Sequence, residues 1–111
     1  MSDNRRILGE EGENFAAAIL EADGYTILDR NYRCKEGEID IIAEKNNNIC
    51  FVEVKTRRSL MYGNPAEAVT AEKKHHIRKA AMEYLNNQGN KKGHISFHVI
   101  EIIYNRIEDA F

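Results

Sequence analysis

Two apolar, β-branched runs separated by three asparagines occupy the middle of this chain and confine it to folds built around a hairpin. The first run is Glu38 to Lys45 and the second is Ile49 to Thr56. Each is rich in the residues that fit a pleated, half-buried surface. Asn46-Asn47-Asn48 between them suits a tight turn, because asparagine tolerates the left-handed backbone such turns require. Both runs read as buried strand, yet they carry Asp40, Glu53 and Lys55. An ionised group is costly to bury unless it is paired or binds a metal. Three of them on adjacent apolar strands point to a site that holds a divalent cation and works on phosphate.

The 111 residues suit one domain spanning 1–111, with enough apolar side chains for a core of useful size. No stretch is long and apolar enough to cross a bilayer. The polar start, Met1-Ser2-Asp3-Asn4-Arg5-Arg6, lacks the apolar segment of a secretory leader, so a cytoplasmic protein is expected. A net charge of −2 excludes a protein that coats nucleic acid non-specifically, but Lys73, Lys74, Arg78 and Lys79 cluster. Cys34 and Cys50 have no partner at metal-ligand spacing and read as buried free thiols.

Around the hairpin, periodicity predicts a helix from about Ile7 to Asp23. Leu8, Phe15, Ile19 and Ala22 lie on its apolar side, Ala16 and Leu20 widen the stripe, and Gly24 is the stop. Tyr25 to Arg33 reads as strand and Lys35-Glu36-Gly37 as turn. Arg57 to Gly63 reads as loop, and Asn64-Pro65 as the start of a short helix. Thr70 can cap a longer helix to about Asn87, with Ile77, Ala80, Ala81, Tyr84 and Leu85 buried, and Ile95 to Tyr104 is a last strand. Short loops make the first three strands an antiparallel meander. The long connection through the second helix lets the last strand pair parallel to the third. The expected fold class is α/β: an α-β-β-β-α-β order with a mixed sheet flanked by helices.

Glu53 and Lys55 share a strand face. If Asn46-Asn47 is a two-residue loop, Asp40 falls opposite Glu53; if the loop is Asn47-Asn48, Asp40 falls opposite Lys55. Both registers bring the three to one face, whereas a three-residue loop would send Asp40 to the other. Facing carboxylates repel, and a hard cation such as Mg²⁺, which accepts one or two carboxylates plus water and phosphate oxygens, removes the repulsion. Lys55 would hold or deprotonate the attacking water, or stabilise developing charge. An ion pair of Lys55 with Asp40 or Glu53 accounts for the same pattern without chemistry. Glu13, beside Ala17 and Leu20 at the border of the first helix's stripe, reads on periodicity alone as a solvated glutamate. Lys74 and Arg78, and His75 and Lys79, are one turn apart and form a stripe that can grip phosphates or merely face solvent. Lys73, one turn before Ile77, lies on the core side and can point into the site. Arg57 and Arg58 follow Lys55 towards the same region. His75 and His76 are adjacent and make a poor metal pair. His94 and His98 suit a strand surface, and Tyr62-Gly63-Asn64-Pro65 suits a loop beside the site.

Four blocks in order carry a resemblance across nearly the whole chain. They are Gly9-Glu10-Glu11-Gly12-Glu13, Gly37-Glu38-Ile39-Asp40, Phe51-Val52-Glu53-Val54-Lys55-Thr56-Arg57, and Lys73 before an Ala-rich helix. The chain resembles the YraN-like family of small, largely uncharacterised bacterial proteins. That family is similar to archaeal Holliday-junction resolvases within the restriction-endonuclease-like nucleases, whose signature is D-x(n)-(D/E)-x-K. The resemblance implies a restriction-endonuclease-like core and hydrolysis of DNA, branched or distorted. It implies Mg²⁺ or Mn²⁺ held by Asp40 and Glu53, with the Val54 carbonyl as a further ligand and Lys55 assisting the water. It makes Glu13 the acidic residue of the first helix and implies a homodimer. A non-catalytic DNA- or protein-binding module of nuclease ancestry is the alternative. Ile39 stands where many of the wider superfamily have proline, and His98 where close relatives often have aspartate.

Overall fold

In the computed structural model, which describes residues 2–59, 69–89 and 93–111, the elements follow the expected order. They are α1 (Ser2–Ala22), β1 (Thr26–Cys34), β2 (Gly37–Lys45), β3 (Asn48–Arg58), α2 (Ala71–Asn87) and β4 (His94–Tyr104). The four strands form one sheet in the order β1-β2-β3-β4, antiparallel within the meander and parallel between β3 and β4. The expected mixed α/β architecture is therefore the observed one. The expected short helix at Asn64-Pro65 and the loop Tyr62–Pro65 lie outside the described residues. Among the described residues no helix is long and apolar enough to cross a membrane.

Local chemistry explains the punctuation. Gly24, at φ 95°, ends α1, and the following Tyr25 N–H returns to the Leu20 carbonyl at 2.9 Å. Asn46 and Asn47 both take positive φ, 50° and 63°, the twist that a two-residue hairpin demands. Thr70 caps α2 by accepting from the Lys73 N–H at 3.1 Å.

Strand alternation splits the core in two. Ile42, Ile49 and Phe51 face α2 and meet Ala80, Ala81, Tyr84 and Leu85. Ile41, Ala43, Cys50 and Val52 face the other way and meet Ala16, Ala17 and Leu20 of α1. The second helix buries the stripe read from its sequence, apart from Ile77, which is half-buried. The first does not: Leu8 and Phe15 are 43% and 60% exposed, and the buried side consists of Gly12, Ala16, Ala17 and Leu20. Small residues face the sheet because α1 lies close on it; a Cβ at Gly12 would overlap the Thr56 side chain. Both cysteines are free, Cys50 buried and Cys34 only partly so.

Candidate functional site

The asparagine turn selects the first of the two expected registers. Partner pairs run from Lys45↔Asn48 to Ile41↔Val52, which aligns Asp40 with Glu53. The ladder stops one residue short of that pair. Instead the Asp40 carboxylate reaches across and accepts the backbone N–H of Val54 at 2.7 Å. The strand is distorted where this happens. Asn31, between the pairs Arg30↔Ile41 and Tyr32↔Ile39, has φ 53°, and Ile39 joins the same apolar cluster as Ile42 despite a spacing of three. A side-chain acceptor thus replaces a ladder bond and fixes the carboxyl against β3.

Burial pushes the Asp40 carboxyl up to about 7. The Val54 N–H opposes that rise, while the charges of Glu53, Glu13 and Glu38 add to it. Asp40 thus stands among other carboxylates in a partly dry setting and titrates near neutrality. Glu53 is the one charged side chain buried among the described residues, 9% exposed. Its partner is Lys73, whose Nζ lies 2.8 Å from Oε1. Glu53 in turn raises the Lys73 ammonium above its ordinary value, mainly through this hydrogen bond.

An ion pair does occur in the site, but not the one expected from Lys55. Lys55 is half-buried and, among the described residues, has no carboxylate bonded to it. The carboxylate in register with it, Glu101, is taken by Arg57 at 3.0 Å. Lys73, in the first turn of α2, reaches Glu53 from above the sheet. Pattern along a strand could not reveal this, because it depends on where α2 crosses.

Asp40 and Glu53 open into a cavity of about 380 Å³ whose other walls include Glu38, Thr70, Lys73 and His76. Sequence pattern assigns Glu38 no role in the site and His76 only that of a poor metal partner for His75. His76 is turned into this region by its ring Nδ1–H, which donates to the Glu36 carbonyl at 2.9 Å. The signal available was its spacing of one turn from Lys73. Lys55 and Glu13 are not among the described residues lining the cavity. Glu13 is nonetheless half-buried on the packed side of α1, beside Gly12, and its charge is felt at Asp40. It is therefore no freely solvated residue, as periodicity alone suggested.

Among the described residues no group of three or more His, Cys, Asp or Glu side chains is gathered into a ready-made metal cage. Val54 commits its N–H to Asp40 and runs alongside Ile100 of β4. Of the basic residues, Arg58 is exposed at the end of β3 and Lys79 pairs with Glu36 at 3.8 Å. Lys74 and Arg78 are exposed on α2, and the Arg78 guanidinium lies 5.0 Å over the Phe97 ring.

Residues 12–102, which include Glu13, the hairpin and α2, match the uncharacterised protein family UPF0102. The chain belongs to that family. A UPF0102 protein of Caldicellulosiruptor saccharolyticus is 48% identical over 102 residues, covering 92% of this chain and 86% of the relative. One from Chlorobium phaeobacteroides is 50% identical, covering 93% and 81%, and one from Clostridium kluyveri is 47% identical, covering 93% and 84%. These relationships bear out the resemblance to small uncharacterised bacterial proteins.

Proposed function

We propose that this chain is a metal-dependent endonuclease that hydrolyses DNA phosphodiester bonds in the cytoplasm. One observation carries the reading: Asp40, pinned to β3 by the Val54 N–H, and the buried Glu53 open together into one cavity. An all-oxygen donor set of two carboxylates suits Mg²⁺ or Mn²⁺, which fill their remaining positions with water and phosphate oxygens. Asp40 and Glu53 would hold the ion, with the Val54 carbonyl as the adjacent main-chain donor. Bound there, the ion would supply a water of lowered pKa and neutralise charge on the scissile phosphate.

The chain's own residues supply the rest. Lys55, on the same strand face as Glu53 and without a bonded carboxylate among the described residues, orients the attacking water. Water oxygen bonds to phosphorus, the bond to one ester oxygen breaks, and that oxygen leaves with a proton. Lys73 offers its ammonium to the incoming phosphate once Glu53 has another cation to neutralise it. Glu13 bears on the site through its charge. Arg57, Arg58, Lys74, Arg78 and Lys79 provide cations around it for the flanking phosphates. Branched or distorted DNA is the substrate the resemblance implies, and a homodimer would supply one site per strand.

The Lys73–Glu53 pair also favours a second reading, because it satisfies Glu53 with no ion at all. In that case the chain is a non-catalytic module that binds DNA or a protein. The deciding experiment offers fork, junction and flap substrates with Mg²⁺ or Mn²⁺. Products that disappear in Asp40→Ala and Glu53→Ala support the enzyme. Metal-independent binding with no product from any substrate supports the module and removes the enzyme.

A further inference from the structure

We infer that a second cavity, sharing Glu53 as a wall with the first, receives an unstacked base of a single DNA strand. This rests on the proposed action on DNA and names the form of DNA that fits. The cavity is about 250 Å³, floored by Phe51 and Phe97 and roofed by Ile77 and Arg78, with Lys74 and His98 at its rim. Phe51 and Phe97, partners in the parallel β3–β4 register, stack with ring centroids 5.5 Å apart and planes 28° from parallel. Arg78 covers Phe97, its guanidinium 5.0 Å from the ring centre, so an entering base either displaces the guanidinium from the ring or stacks on its outer face. A planar cation over an aromatic ring is a surface on which any nucleobase can stack.

Charge argues for a nucleotide over an apolar peptide side chain. Lys74 and Arg78 have no carboxylate partner among the described residues, whereas Glu53 in the shared wall is neutralised by Lys73. The rim is therefore cationic and the floor aromatic, which suits a base joined to phosphate. Phe97 lies one strand over from Glu53 and one side-chain pair along, a separation of about 8 Å from strand spacing and rise. A phosphate held over Asp40 and Glu53 can thus extend its own or a neighbouring base into this cavity, provided that base is unpaired. Paired bases are held in their stack and cannot enter without extrusion.

Binding measured in EDTA tests this apart from cleavage. Fluorescence anisotropy should show a single-stranded or gapped oligonucleotide binding more tightly than a blunt duplex of the same sequence. Phe97→Leu, which keeps the apolar volume, should weaken single-strand binding by about tenfold and leave duplex binding unchanged, whereas Arg78→Ala, which also removes a cation, should weaken single-strand binding by about tenfold and duplex binding by less. Abasic residues in the strand should cost a similar factor. Equal affinity for normal and abasic strands, or for the parent chain and Arg78→Ala, overturns the inference. Base-dependent binding without cleavage under any metal would keep this inference and remove the endonuclease. Cleavage with no base dependence would do the reverse.

Discussion

Asp40 concentrates the tension in this molecule in one carboxyl group. Its pKa stands at about 7 against an ordinary 3.8, so the folded chain holds that proton more tightly than the unfolded chain does. The associated stability is present in full below about 3.8 and is lost as pH rises through about 7. Allowing for solvent on its open side, the loss amounts to about 1–2 kcal/mol. In EDTA, thermal unfolding of the parent should therefore fall between pH 5 and pH 8.5, while Asp40→Asn should be flat across that range and more stable at its alkaline end. Parallel pH profiles for the two proteins would contradict the assignment. Lys73 gives the complementary case. Lys73→Met strips the ammonium from the buried Glu53 and should cost about 1–2 kcal/mol in the absence of divalent ions. If the carboxylates bind metal, millimolar Mn²⁺ should restore most of that loss, and should do so better at pH 8 than at pH 6, because the ligands must be deprotonated. A melting temperature indifferent to Mn²⁺ would leave the ion pair as a purely structural feature.

At the scale of elements, the hairpin was legible and the first helix was not. Asn46-Asn47 fixes the register because few residues accept two successive left-handed positions, and register decides which face every later side chain takes. That is why Asp40, Glu53 and Lys55 could be assigned to one face from sequence. The first helix misled because its largest apolar residues, Leu8 and Phe15, are the exposed ones. Hydrophobic periodicity weights size, whereas close contact with a sheet selects smallness. Gly12 carried the missing signal, since the spacing of Gly12, Ala16, Ala17 and Leu20 marks a face of low profile. Lys73 was recognised as core-side, but its bond to Glu53 depends on the path of α2, which no single-strand pattern contains. Gly12→Ala tests the close approach. Its Cβ overlaps the Thr56 hydroxyl, so either this β-branched side chain leaves its rotamer or α1 lifts from β3. The expected cost is about 1–3 kcal/mol in chemical denaturation. Thr56→Ala in the same chain should recover most of it; a double variant no better than the single one would place the strain elsewhere.

The whole molecule is slightly acidic, with a net charge of −2, so any hold on DNA must come from where its cations stand and not from their sum. Several are already committed: Lys73 to Glu53, Arg57 to Glu101 and Lys79 to Glu36. Lys55, Lys74 and Arg78 have no carboxylate partner among the described residues, and all three belong to β3 and α2, the elements that border both cavities. Three phosphate contacts on a single strand imply a log–log dependence of affinity on salt with a slope of about −2. Lys74→Gln should lower that slope by about 0.7 and weaken all sequences alike, since a phosphate contact carries no base information. Arg78→Ala should differ in kind, weakening normal strands more than abasic ones, because its guanidinium lies over Phe97. A slope near zero would mean that the cations paired in the free protein stay paired and that DNA is not the ligand. A slope much steeper than −2 would mean that Lys73 and its fellows exchange their carboxylates for phosphates on binding, as the shared Glu53 wall permits.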